Sequence, residues 1–324
     1  MGGNALKNCT TRRYQKEEYF SICQEVTDIL AEIFIQTRTH IPKTYDKETY
    51  GDLDIIIDGK FLPADYVQSI IKRFNPQEYV KNGNVFSFEY REFQIDFIVT
   101  KESEYETSVQ YFSYSDINNL IGRLAHSIGL KLGHDGLSFN WRIETYQFAN
   151  VILLTDWKDI LPVLDLSYER YAQGFNTLED IFEFVMSSLF YNKEIFLLQN
   201  RNNVSRTRDR KRKTYMEFLK YINPEGIEYP ETILHNKTDK SVYLPYLFEM
   251  IPNFKELYEK TENAYLLAIQ KKTVYNGDLV KEWTGLSGRP LGNFMQWMKQ
   301  FDVPLDETKQ FVLHKRKEYE LQNI

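Results

Sequence analysis

Cysteine is scarce in this chain: two in 324 residues, Cys9 and Cys23, and neither has the spacing to a second Cys or a His that a metal motif requires. That excludes a zinc ribbon and a disulfide framework. His126 and His134 have no thiol or third imidazole near them in sequence, so they read as hydrogen-bonding residues and not as zinc ligands. No apolar run reaches the roughly 18 residues of a spanning helix. The opening Met-Gly-Gly-Asn-Ala-Leu-Lys carries no apolar signal core, so no membrane partner is expected and the expected location is the cytoplasm. Neither a Walker-type nor a dinucleotide glycine motif is present, nor any internal repeat or low-complexity tract. Positive charge is also short. Forty Lys and Arg against 46 Asp and Glu leave a net charge of −6, so any nucleic-acid contact must come from a local basic surface.

Hydrophobic residues make up 42% of the chain, with 23 Tyr, 22 Phe and 4 Trp. That suffices for two sizeable cores. Helical spacing over 16–36 puts Tyr19, Phe20, Cys23, Val26, Ile29, Leu30, Ile33 and Phe34 on one stripe. A strand is expected over 52–57, a helix over 64–74, and paired strands over 85–90 and 93–99 after the hairpin signal Asn82-Gly83-Asn84. This order predicts an α+β fold, a mixed sheet with helices on one face. Further on, a helix is expected over 115–132, strands near 137–155 and a helix over 178–189. Helices are expected to dominate beyond 196.

Acidic residues interrupt two of these strands. In Tyr50-Gly51-Asp52-Leu53-Asp54-Ile55-Ile56-Ile57, alternation projects Asp52 and Asp54 from one face. A second strand, Phe93-Gln94-Ile95-Asp96-Phe97-Ile98-Val99, adds Asp96 if it lies beside the first. Three adjacent carboxylates repel one another unless a cation sits among them. Hard oxygen ligands point to Mg²⁺, with Mn²⁺ as a substitute, and phosphate oxygens can complete the shell.

Thr44-Tyr45-Asp46-Lys47-Glu48-Thr49-Tyr50-Gly51-Asp52-Leu53-Asp54 resembles the nucleotide-binding motif of the DNA polymerase beta-like, or family X, nucleotidyltransferases. Ile95-Asp96-Phe97 matches the strand that carries the family's third carboxylate. Tyr111-Phe112-Ser113-Tyr114-Ser115-Asp116-Ile117-Asn118-Asn119-Leu120-Ile121-Gly122-Arg123 is similar to the family's Tyr-Phe-Thr-Gly-Ser-Asp motif and the helix after it. Leu178-Glu179-Asp180-Ile181-Phe182-Glu183-Phe184-Val185 and Tyr191 resemble the last helix of the same subdomain. The chain departs from the family at Pro42-Lys43-Thr44, where Gly-Ser is expected, and at Tyr114, where a small residue is expected. Gly2-Gly3-Asn4 is a candidate backbone anion nest.

The resemblance implies a palm over 1–105, a thumb-like nucleotide-binding subdomain over 106–195 and a helical nucleic-acid-binding domain over 196–324. It implies that Asp52, Asp54 and Asp96 hold two Mg²⁺ ions, with Asp96 placed to receive the primer hydroxyl proton. Thr44, Lys47 and Gly51 would face the triphosphate. Tyr111, Phe112, Ser115, Asp116 and Asn119 would line sugar and base, and Arg123 would lie toward the template. The implied activity is transfer of a nucleoside monophosphate from an NTP or dNTP to a DNA or RNA 3′ end. Three versions compete: template-directed DNA synthesis, template-independent RNA or tRNA tailing, and a catalytically silent nucleic-acid-binding scaffold.

Two further segments bear on partners. The stretch 201–213 has seven Lys or Arg against Asp209, and Arg206, Arg208, Arg210, Lys211 and Arg212 are candidate phosphate contacts at the start of a helix running through Ile222. Tyr275-Asn276-Gly277-Asp278-Leu279-Val280 and the glycine-rich 285–294 resemble a module of CCA-adding enzymes and poly(A) polymerases, and read equally as a helix–turn–helix. Trp283 and Trp297 read as core residues. Richness in Asn, Lys and Tyr accompanies AT-rich genomes, viral ones included, which would make the cytoplasm that of a host.

Overall fold

In the computed structural model, which describes residues 5–114, 117–143, 146–222 and 239–322, the strand-forming run at Asp52 lies inside a five-stranded mixed sheet. The elements of the first half are β1 (Tyr14–Gln15), α1 (Lys16–Ile33), β2 (Thr39–His40), β3 (Thr49–Tyr50), β4 (Asp52–Asp58), α2 (Tyr66–Phe74), β5 (Tyr79–Asn82), β6 (Val85–Tyr90) and β7 (Phe93–Thr100). Strand order is β2-β4-β7-β6-β5. β4 and β7 run parallel and the other pairs antiparallel. A parallel pair needs a crossover, which α2 and the β5–β6 hairpin supply. The hairpin turns through Gly83 and Asn84, with Gly83 at φ +61°, as the Asn-Gly-Asn signal required.

Alternation divides the sheet. Leu53, Ile55, Ile57, Ile95 and Phe97 share one core with Val26, Ile29 and Leu30 of α1 and Ile70 and Phe74 of α2. Ile56 and Ile98 face the other way and pack on Tyr105 and Val109 of α3 (Tyr105–Phe112). Helices therefore cover both faces, which corrects the expectation of one. The reason is the unbroken Ile55-Ile56-Ile57: all three are buried, so both faces must be shielded there. Toward the start of β4 the α3 face carries Asp52 and Asp54 in place of apolar residues.

An amino-terminal strap closes the edge. The Glu78 carboxylate accepts backbone N–H bonds from Lys7 at 2.9 Å, Asn8 at 2.6 Å and Cys9 at 3.0 Å. Arg12 N–H donates to the Glu92 carbonyl at 2.8 Å, and Tyr14 stacks on Phe93 with centroids 4.3 Å apart.

The chain continues through α4 (Ile117–Ser127), the antiparallel strands β8 (Leu130–Gly133), β9 (Gly136–Ile143) and β10 (Tyr146–Leu154), α5 (Trp157–Val163), α6 (Tyr168–Gln173), α7 (Leu178–Met186), α8 (Asn203–Asp209), α9 (Lys213–Tyr221) and α10 (Leu244–Met250). The helix expected over 115–132 ends at Ser127. Gly129 adopts φ +93°, and Leu130 and Leu132 alternate inward from a strand. The helix expected to run from 201 to 222 is two helices, broken over 210–212.

The chain divides into compact units at Pro252/Asn253. The described elements of the second unit are helices: α11 (Phe254–Val274), α12 (Gly277–Thr284), α13 (Gly288–Met298) and α14 (Thr308–Gln322). Val280, Phe294, Met298 and Val312 form its core, with Trp283 and Trp297 packed against it. Asn276 caps α12 by accepting from the N–H groups of Asp278 and Leu279, and Gly285 at φ +69° ends that helix. The glycine-rich segment is thus a helix–turn–helix. No described helix is long and apolar enough to cross a membrane.

Candidate metal centre and cleft

The parallel register of β4 and β7 sets Asp54 beside Asp96 and Asp52 beside Gln94. On the antiparallel side, Ser87 of β6 pairs with Asp96. Residues paired across a ladder share a face, so the three carboxylates converge. Their ligand oxygens lie within 4.8 Å of one another, and all three residues are half-buried. Gln94 Nε2 donates to both oxygens of Asp96 at 2.9 Å, and the Ser87 hydroxyl also bonds that carboxylate. Gln94 is held in turn by Ala5 N–H, which donates to its Oε1 at 2.9 Å.

Burial pushes the Asp96 carboxyl up to about 6, and the neighbouring Asp52 charge pushes the same way against the bonds from Ser87 and Gln94. The ionised carboxylate is therefore under-compensated by its surroundings. A half-buried set of three hard oxygen donors within reach of one another fits a divalent cation such as Mg²⁺ or Mn²⁺.

Asp52 and Asp54 line a cleft of about 1560 Å³. Arg13, Lys43, Thr44, Lys47 and Gly51 line it from the β3–β4 side, and Phe112 from α3. The Lys47 ammonium lies 4.8 Å from the Tyr45 ring and 5.6 Å from the Tyr50 ring, and Tyr50 stacks on Tyr19 at 3.8 Å. Those cation–π contacts steady the ammonium beside the cleft. The Thr44 hydroxyl donates to the Tyr45 carbonyl at 2.6 Å. Backbone bonding of Tyr114 N–H to the Lys43 carbonyl ties the end of α3 to this loop. The end of α8, the turn after it and the start of α9 add Arg208, Lys211, Arg212 and Lys213 to the lining.

Other expected contacts lie elsewhere. Tyr111 sits against Phe112 and His134 and does not line the cleft. Asn119 reaches Asp209 Oδ1 at 3.5 Å. Arg123 donates through Nε and Nη2 to the Ile195 carbonyl at 3.1 and 2.8 Å, and burial lowers its pKa to about 10 with Arg201 adding to the effect. Arg206 and Arg210 are outside the cleft lining. Ser115, Asp116 and the Gly2-Gly3-Asn4 segment lie outside the described residues. The departure at Tyr114 has a structural role: its φ is +57°, and its buried ring packs edge-on against Tyr171 and Phe175. Gly174, at φ +85°, approaches so closely that a Cβ there would sit 2.8 Å from the Tyr114 hydroxyl.

Asp209 is fully buried at the end of α8. Its Oδ2 is 2.9 Å from Arg201 Nη2, an ion pair at an angle short of a hydrogen bond. Its Oδ1 is 3.2 Å from Arg208 Nε. Arg201 Nη1 donates to the Tyr215 hydroxyl at 3.1 Å, which donates to the Phe196 carbonyl at 2.6 Å.

Sequence reasoning missed Gln94, Ser87, Lys43, Arg13, Lys213 and Asp209 as site residues. Gln94 was detectable, since it lies two positions before Asp96 and so on its face. Ser87 and Asp209 needed the register and the packing. No protein-family model matches this chain, and no curated protein matches it.

Proposed function

We propose that the chain is a metal-dependent nucleotidyltransferase that joins the nucleoside monophosphate of an NTP or dNTP to a DNA or RNA 3′-hydroxyl and releases pyrophosphate. The observation that carries this reading is the convergence of Asp52, Asp54 and Asp96 from paired strands at a cleft whose rim holds Lys43 and Lys47. The three carboxylates would hold two Mg²⁺ ions, or Mn²⁺. When bound, such ions supply Lewis acidity to phosphate oxygens and favour an ionised hydroxyl. In the reaction the acceptor oxygen bonds to the α-phosphorus as the bond to the bridging oxygen breaks, and pyrophosphate carries away that electron pair. Asp96, held by Gln94 and Ser87 beside the other two carboxylates, is suited to take the hydroxyl proton. Gln94 and Ser87 fix its orientation. Lys47, steadied by two tyrosine rings, is placed to meet charge on the departing phosphates. Phe112 offers an apolar surface to sugar or base.

One observation favours a template-independent version of this reaction. Asn119 and Arg123, the residues a template-reading role would use, have their side chains tied to Asp209 and the Ile195 carbonyl. The test is nucleotide incorporation onto labelled DNA and RNA 3′ ends, with and without complementary template, using all NTPs and dNTPs and either Mg²⁺ or Mn²⁺. Template-free addition to RNA is expected on the second version, and strict template dependence with dNTPs on the first. No incorporation on any end overturns the proposal and leaves the scaffold, and equal incorporation by Asp96→Asn overturns the assignment of the reaction to the three carboxylates.

A further inference from the structure

Resting on that reading, we propose that the basic part of the cleft lining made by the end of α8, the turn after it and the start of α9 binds the phosphate backbone of the acceptor strand, and that buried Asp209 positions it.

Size is the first argument. Pockets for small ligands occupy about 300–1000 Å³, whereas this cleft measures about 1560 Å³, enough for a nucleotide and a short stretch of strand. Charge is the second. The lining carries seven cations (Arg13, Lys43, Lys47, Arg208, Lys211, Arg212 and Lys213) against four acids (Glu48, Asp52, Asp54 and Glu217). The whole chain is at −6, so the positive charge is concentrated here. It is also selected by side: Arg206 and Arg210 belong to the same basic stretch yet do not line the cleft.

The third argument is how the wall is held. Asp209 occupies the carboxyl end of α8, where the helix dipole disfavours an anion, and it is fully buried. Apolar residues of equal volume fill such a place at least as stably as an ion pair. What Asp209 adds is placement. One oxygen holds Arg208 by Nε, and Asn119 of α4 approaches the same oxygen. The other oxygen meets Arg201, which bonds Tyr215 of α9. Both halves of the wall are thus referred to one carboxylate. Cations at fixed spacing follow a phosphate backbone and carry no sequence preference.

The test is anisotropy of labelled 12-nucleotide single-stranded RNA and DNA with the full chain, without divalent metal, across a salt series. The double variant Lys211→Ala/Lys213→Ala is expected to bind about tenfold more weakly, and its log–log salt slope to shrink by about 1.4 for two lost contacts of about 0.7 each. Arg206→Ala is expected to bind within about twofold of wild type. Arg201→Met/Asp209→Leu replaces the pair with apolar volume and keeps the fold, yet is expected to bind more weakly with a smaller slope. Wild-type affinity and slope in both double variants would overturn the proposal, as would equal loss in Arg206→Ala or equal binding of labelled polyglutamate. Oligonucleotide binding without nucleotide transfer would sink the enzymatic reading and leave the wall standing. Nucleotide transfer to 3′ ends with wild-type oligonucleotide affinity and salt slope in both double variants would do the reverse.

Discussion

Asp96, beside the cleft-lining Asp52 and Asp54, and Asp209, at the end of α8, are carboxylates whose surroundings differ in kind. Asp96 has two acidic neighbours and hydrogen bonds from neutral groups only. Asp209 has two guanidinium partners and full burial. A carboxylate whose charge is under-compensated by its own fold is a place where an external cation gains binding energy. One whose charge is met internally is architecture. The two walls also differ in how they are aimed. The acids are set by ladder register over seven paired positions of β4 and β7, while the basic wall is referred to a single buried pair.

Removing charge should therefore have opposite consequences on the two sides. The largest effect is expected for Asp96→Asn on nucleotide transfer, a loss on the order of 10³-fold or more in single-turnover rate, with a folded protein by circular dichroism. A rate within tenfold of wild type would remove Asp96 from the chemistry. On the other wall, Arg201→Ala leaves Asp209 without its main partner, and a loss of about 3–4 kcal/mol in urea-unfolding stability is expected. A loss below about 1 kcal/mol would mean that Asp209 is not held as described.

Gln94→Leu sharpens the comparison, because it removes both hydrogen bonds to Asp96 without touching a charge. Mn²⁺ affinity, read by calorimetry, is expected to fall about 10–100-fold, the usual cost of losing a ligand's outer support. Unchanged affinity would mean that the strand register alone orients Asp96. The smallest effect is on pH-dependent stability. Since the Asp96 value is raised from 3.8 to about 6, the folded protein holds a proton there in that window that the unfolded chain has released. The Asp96 contribution to the stability of the metal-free protein should fall by about 1–2 kcal/mol as pH rises from 4 to 6, read as the difference between the wild-type and Asp96→Asn profiles, because carboxylates with lowered values such as Asp58 and Glu78 contribute with the opposite sign. A difference that grows in favour of the wild type over that window would reverse the assignment.

Legibility in the sequence followed the range of the interaction that fixes each residue. Asp52, Asp54 and Asp96 were readable because strand alternation is a local rule and β-branched neighbours announce the strand. The Gly83-Asn84 turn was readable for the same reason. Side-chain direction on a helix depends on what packs against it, so Asn119 and Arg123 could be placed on α4 but not aimed. The 115–132 pattern fits a helix until Gly129 takes a left-handed φ, a choice that sequence does not compel. Asp209 read as a gap in a basic run, since its partner Arg201 acquires meaning only once both are buried. Helices on both faces of the sheet were implied by Ile55-Ile56-Ile57, although alternation drew attention to one face.

The strap has a consequence for the order of folding. Ala5 meets Gln94 across 89 positions of chain, and Lys7 and Asn8 meet Glu78 across about seventy. Closing loops of that length costs entropy that is recovered only when their partners already stand in place. Gln94 stands in place only after β7 has found β4. The strap residues are thus among the last of the first unit to settle, and until they do Gln94 lacks one of its anchors and Asp96 the full constraint on its orientation.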